Sequence, residues 1–272
     1  MIARRQVLGA GAALAIAGTA RGQGPSRFGL TGRAVQGGVM TGTAPRGAGS
    51  LTLDGTPVPV AADGRFLIAF DRDAGPIARL VVGSLSEMIS VAPGDWQIER
   101  LPTLPRISQP SAEFTRRRAP ELARIAAARG SDNDSGGWRQ RFVWPAKGRI
   151  SGRFGSQRIY AGEPGAYHSG VDVARPAGAP VVAPADGVVI LAAATPFTLE
   201  GLLLMIDHGM GLNSAFLHLS RIDVTEGQAV RQGQPIGAVG ATGRATGPHL
   251  HWGMKWRDAR IDPALLAGAM GG

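Results

Sequence analysis

Apolar and polar positions alternate in short runs through most of this chain, and turn residues separate the runs. Between residues 28 and 100, Val58-Pro59-Val60 and Arg65-Phe66-Leu67-Ile68-Ala69-Phe70 have strand character, with turns at Asp54-Gly55 and Asp63-Gly64. Leu80-Val81-Val82 and Met88-Ile89-Ser90-Val91 continue the pattern, which predicts a small β-sandwich over residues 28–100. The period then changes. Across residues 101–141, Pro102, Pro105 and Pro110 keep the chain extended until Ser111 can cap a helix. Pro120 should break that helix or begin a second one, which Gly130 stops. Arg116-Arg117-Arg118 reads as a solvated helix face, and Ser131 to Gly137 as a polar loop. From Phe142 to about Trp256 short apolar runs return and predict a second, β-rich domain.

The N-terminus has a different pattern. Arg4-Arg5 precede a short Ala/Gly/Leu run from Val7 to Ala17, and Gly18-Thr19-Ala20 offers small residues for cleavage. Residues 1–22 are therefore read as an export signal, too short in its apolar run to span a membrane. The paired arginines before Gln6-Val7-Leu8 suit the twin-arginine route; an ordinary secretory signal containing two arginines is the alternative. No later apolar segment approaches spanning length, so stable membrane insertion is not expected after signal removal. The location expected is the periplasm or cell envelope.

Composition sharpens this picture at two points. Cysteine is absent, so disulfide scaffolds and thiolate metal sites are excluded, and any metal must be held by His, Asp or Glu. The net charge of +9 is concentrated in the connector, with a surplus of four over residues 106–144 against none over residues 24–105. A surplus placed there suits an anionic polymer such as cell wall and gives no reason to expect nucleic-acid binding.

All five histidines lie between residues 168 and 251. In extended chain, residues i, i+2 and i+4 share a face, so His168 can join Asp172, and His249 can join His251 with Leu250 turned to the core. By the same alternation Leu217 and Leu219 should face inward, with Phe216, His218 and Ser220 on the opposite surface. Two imidazoles and a carboxylate would hold an open zinc site, leaving further histidines for proton transfer. His208, beside Asp207 and before Gly209-Met210-Gly211, reads as structural. Thr246 can either orient a ligand histidine or serve the turn at Gly247-Pro248.

The order His168-x-x-x-Asp172, then Phe216-Leu217-His218-Leu219, then Gly247-Pro248-His249-Leu250-His251 resembles the lysostaphin-type (LytM-like) zinc metallopeptidases of peptidoglycan. Supporting phrases are Gly152-Arg153-Phe154-Gly155, Ala183-Pro184-Ala185-Asp186-Gly187, Gly227-Gln228-Ala229-Val230 and Gly240-Ala241-Thr242-Gly243. The resemblance covers about residues 142–265. It implies zinc held by His168, Asp172 and His251, with His218 and His249 as catalytic histidines that do not bind the metal. It also implies hydrolysis of peptide cross-links, with peptidoglycan peptide stems as the partner. Phe216 departs from the tyrosine many relatives carry; Tyr160 and Tyr167 lie upstream, each able to steady an oxyanion or simply pack beside the groove. The architecture expected is mainly β: an N-terminal immunoglobulin-like domain, a partly helical linker over residues 101–141, and a C-terminal antiparallel β groove. The alternative function is a non-catalytic, wall-binding activator of a peptidoglycan amidase. A lipoyl- or biotin-carrier reading fails because no lysine lies between Lys147 and Lys255.

Overall fold

The computed structural model describes residues 26–47, 49–104 and 111–271, so the export-signal expectation for residues 1–22 lies outside the described residues. The chain is mainly β, as its alternation predicts. Strands β1 (Thr31–Gly32), β2 (Val39–Thr43), β3 (Leu51–Leu53), β4 (Thr56–Pro57), β5 (Arg65–Ala69), β6 (Ile77–Val82) and β7 (Leu85–Ser90) form two antiparallel sheets. Their orders are β1-β2-β5 and β4-β3-β6-β7, and Phe28, Leu51, Phe66, Ile68 and Leu80 fill the core between them. This is consistent with the expected sandwich.

Strand β8 (Ile98–Leu101) spans the start of the connector, which also contributes helix α1 (Ala112–Arg129). Ser111 caps α1 by accepting from the Phe114 amide, and Gly130 ends it, as the sequence suggests. Pro120 does not break it. The helix runs through as one element of 18 residues, with Pro120 inside it. The Arg116–Arg118 run also needs correction, because Arg118 is buried. Its guanidinium binds both carboxylate oxygens of Glu200, at 2.6 and 2.5 Å, and Glu121 at 2.8 Å. Packing of α1 against the following domain thus outweighs the cost of the proline.

The rest of the chain supplies β9 (Arg149–Gly152), β10 (Gln157–Tyr160), β11 (Glu163–Pro164), β12 (Gly170–Ala174), β13 (Pro180–Val182), β14 (Gly187–Ala192), β15 (Leu202–Asp207) and β16 (Leu212–Leu219). Then come β17 (Arg221–Ile222), β18 (Ala229–Val230), β19 (Pro235–Ala238), β20 (His249–Trp256), β21 (Ala259–Ile261) and the short helix α2 (Pro263–Ala267). The large antiparallel sheet has the order β18-β14-β15-β16-β20-β12-β9. β8 pairs in parallel with β10, so the chain entering the connector supplies a strand beside the groove.

The two faces of the large sheet carry different work. Leu204, Ile206, Phe216, Leu250 and Trp252 face the main core, while Leu203, Met205 and Ala215 face the other way, under Ala128 of α1. Asp172 on β12 and His251 on β20 share this second face, with a pocket between His251 and α1. Helix α1 therefore covers the apolar half of the face and leaves the polar half open.

Candidate metal centre

Register places the site. In the β12–β20 ladder Asp172 lies directly opposite His251, with Ala174 opposite His249 and Val173 opposite the buried Leu250. His168 sits in the loop just before β12, where its amide donates to the Ser156 carbonyl. The shared face predicted from strand spacing is thus reached by a loop and a strand together. Nε2 of His168, Oδ1 of Asp172 and Nδ1 of His251 form a triangle with edges of 3.0, 2.9 and 3.0 Å. Among the described residues these three side chains form a group able to hold a metal ion.

The donor chemistry fits a divalent cation. Nδ1 of His168 lies 3.0 Å from the Arg153 carbonyl, which can only accept, so in the neutral ring Nε2 carries the lone pair. It then faces a carboxylate oxygen and a second imidazole nitrogen. A single proton can bridge one edge of this triangle; one cation satisfies all three corners. Ligand atoms at roughly 2.0–2.2 Å from a tetrahedral zinc lie about 3.3 Å apart, close to the spacing here. Burial acts to raise the Asp172 pKa, yet the close contacts with the His168 and His251 imidazoles hold it well below the usual carboxylate range. Burial lowers the His251 pKa, with Asp172 opposing. Two glycines leave room for these side chains. A Cβ on Gly152 would lie 2.4 Å from Asp172 Oδ2, and one on Gly170 2.6 Å from His251 Nε2.

His218 and His249 stand beside the triangle, with ring centroids 4.9 Å apart. Each has its tautomer fixed by a carbonyl: Nδ1 of His218 donates to Thr242 O at 2.9 Å, and Nδ1 of His249 to Gly247 O at 2.8 Å. Nε2 is left as the free nitrogen of both rings, and that of His249 lies 3.8 Å from Asp172 Oδ1. Burial lowers the His218 pKa and favours its neutral, proton-accepting form.

The alternation expected for Phe216–Ser220 holds at Leu219, which is buried, and at Ser220, which is exposed, but fails before them. Phe216 is fully buried in the main core, and Leu217 lies partly exposed on the other face. A bulge against β15, between Leu202 and Leu204, inserts an extra residue. His218 takes it up with φ of +63°, which re-aims its ring toward the site. The His218 amide donates to Glu200 O at 2.8 Å, and Thr242 Oγ1 accepts from the Leu202 amide and donates to Leu219 O. Thr242 was visible in the sequence only as part of the Gly-Ala-Thr-Gly phrase, and the role of Glu200 had no local signal at all.

The remaining residues are placed plainly. His208 is buried away from the cluster, donating to Asp186 O and accepting from Ser214 Oγ, both at 2.8 Å. Gly247, not Thr246, supplies the carbonyl that orients His249. The Tyr167 hydroxyl accepts from Arg260 at 3.3 Å, and its ring packs on Phe154. Tyr160 borders an open groove of about 1150 Å³ that runs past His168 and Asp172, with Ile98 and Glu99 of β8 on its edge.

An open His-Asp-His cluster on the exposed face of an antiparallel sheet, flanked by two oriented histidines, defines a metallopeptidase-like centre. Comparison with known proteins makes this specific. The model of peptidase family M23 matches residues 166–263. A crystal structure from Pseudomonas aeruginosa, of a protein assigned to peptidase M23, is 32% identical and aligns over 87% of this chain and 96% of that one, with a TM-score of 0.67. The chain belongs to peptidase family M23. Peptidoglycan DD-endopeptidase ShyA of Vibrio cholerae is 43% identical over 114 residues, 42% of this chain and 26% of that protein. DD-carboxypeptidase/endopeptidase Mpg of Neisseria meningitidis is 39% identical over 119 residues, 44% of this chain and 27% of that protein. The match spans about a quarter of the length of these curated relatives.

Proposed function

We propose that this protein is a zinc-dependent endopeptidase that hydrolyses peptide cross-links of bacterial peptidoglycan. The observation that carries the reading is the meeting of three acceptor atoms at about 3 Å with two carbonyl-oriented imidazoles beside them. His168, Asp172 and His251 would hold the zinc. Bound there, zinc supplies Lewis acidity that polarises a carbonyl and acidifies water. His249 Nε2 is the group placed to accept a proton from the attacking water. His218, neutral until it accepts a proton, then stabilises negative charge as it develops on the substrate. The names of the relatives favour hydrolysis over the alternative, a non-catalytic activator of an amidase. Peptidoglycan as substrate places the protein in the periplasm or cell envelope, which agrees with residues 1–22 read as an export signal. Among the described residues no helix is long and apolar enough to cross a membrane.

The test is paired zinc content and turnover of cross-linked muropeptides. His251→Ala should lose both. His218→Ala and His249→Ala should lose activity by on the order of a hundredfold or more while zinc stays bound. Release of metal from His249→Ala but not His251→Ala would reverse the roles, and full activity in all three would end the catalytic reading.

A further inference from the structure

Between the metal ligands and α1, the second face of the large sheet dips into a pocket of about 240 Å³. Its floor is apolar, with Met205 and Leu217, and His251 stands on its near side. Besides Arg118, which is paired with Glu200, the lining holds three cations from three elements: Arg129 at the end of α1, Lys255 on β20 and Arg260 on β21.

None of the three is neutralised in place. The Lys255 side chain is only 15% exposed, and its nearest carboxylate, Asp258, is 3.9 Å away and open to solvent. The Arg260 guanidinium donates to the Tyr167 hydroxyl, whereas Asp71 accepts from the Arg260 backbone amide. Nε of Arg129 is buried with no partner among the described residues. The one carboxylate in the lining, Glu200, is held by Arg118 through both oxygens. An arginine in the last helical turn commonly answers the helix dipole, but here no described carbonyl accepts from Arg129. Three converging cations repel one another, and Arg129 and Lys255, unlike the exposed Arg260, have shed part of their water, a cost that an entering anion removes.

We infer that this pocket is a carboxylate-binding subsite that seats a free acidic group of the substrate peptide next to the candidate metal centre. The inference rests on the peptidase reading above for the identity of the ligand. Peptidoglycan stem peptides carry free carboxylates, and arginine forks match carboxylate geometry through paired N–H donors. The apolar floor suits the methylene stem that carries such a group. The volume admits one acidic side chain, not a length of glycan strand.

The experiment uses two probes, a stem tetrapeptide with free carboxylates and the same peptide fully amidated. Each is titrated calorimetrically into zinc-loaded wild type, Arg129→Gln/Arg260→Gln and Arg129→Lys/Arg260→Lys. Wild type should bind the free acid at least tenfold more tightly, about 1.4 kcal/mol. The glutamine pair should bind both peptides alike, at the amidated level, and the lysine pair should keep a preference. Equal binding of both peptides by wild type, or an undiminished preference in the glutamine pair, would overturn the subsite. Should the glutamine pair fail to give a cooperative melt, Lys255→Gln replaces it, with a smaller loss of preference expected and none refuting. Turnover on the same preparations separates the two readings. A wild type that binds with preference and cleaves nothing removes the peptidase and keeps the pocket. One that cleaves acid and amide equally well removes the pocket and keeps the peptidase.

Discussion

Gly152 on β9 lies opposite Asp172 in the ladder, and its conformation needs no glycine. Space is what requires it. A Cβ built there would fall 2.4 Å from Oδ2 and 2.9 Å from Cγ of Asp172, and 3.0 Å from Cε1 of His168. Relief demands a shift of roughly 1 Å, because non-bonded carbon contacts settle near 3.5–4.0 Å. Asp172 cannot move that far and keep its 2.9 and 3.0 Å contacts to His251 and His168. Gly152→Ala should therefore cost about 1–3 kcal/mol of stability through overpacking. It should also weaken zinc binding about 10–100-fold, the usual loss when a ligand is mis-oriented. Gly253→Ala is the control: its Cβ would meet Ser169 O at 3.4 Å and His251 Nε2 at 3.5 Å, both ordinary contacts. Competition for zinc against a chelating dye gives the affinities, and urea titration of the zinc-free proteins gives the stabilities. If Gly152→Ala binds zinc as wild type does, or if Gly253→Ala is weakened as much, the steric argument is refuted.

Three further outcomes are expected. Burial pushes His208 down to about 4 from an ordinary 6.5, so its contribution is complete above pH 6.5 and lost as pH falls toward 4, by about 3 kcal/mol. His208→Gln should flatten the stability–pH slope over that window in urea titrations, and a slope identical to wild type would refute the assignment. Arg118→Met leaves Glu200 without its partner and should cost roughly 2–4 kcal/mol, less than a fully buried pair because both side chains keep some exposure; unfolding within 0.5 kcal/mol of wild type would contradict it. Replacing Arg4 and Arg5 by lysines should block export if the twin-arginine route is used, since its receptor reads the pair and not the charge; unchanged secretion would assign the general route.

The sequence was most legible where one strand carries its own pattern. His249-Leu250-His251 is such a case: alternation alone turns Leu250 to the core and both imidazoles to the opposite face. The Ser111 cap and the Gly130 stop were equally local. Legibility failed where a distant partner decides the outcome. Nothing near residue 118 shows that this arginine will meet Glu200, 82 positions away, so the triple-arginine run looks solvated. Phe216 and Leu217 failed for another reason: a bulge before Leu219 adds one residue, and one residue reverses the faces on its two sides. Glycine spacing hints at tight turns, but the service of Gly152 to Asp172 depends on a ladder that no window of sequence contains.

The same ladder explains how two histidines, two residues apart on one face, can take different work. His251 faces Asp172 directly, so its Nδ1 is drawn into the acceptor triangle. His249 faces Ala174, too small to hold the ring, and its Nδ1 turns back to the Gly247 carbonyl in the preceding loop. That bond leaves Nε2 near Asp172 Oδ1, at 3.8 Å, but outside hydrogen-bond range. His218 needs more help, since αL backbone in a non-glycine residue costs about 1–2 kcal/mol. Its amide bond to Glu200 O and its ring bond to Thr242 O offset that cost, and Glu200 is itself held through Arg118 to α1. The connector helix is thereby joined to the ring proposed to stabilise developing charge. A disturbance of α1 should reach His218 before it reaches His168, Asp172 and His251, whose mutual contacts run through β12, β20 and the loop at His168.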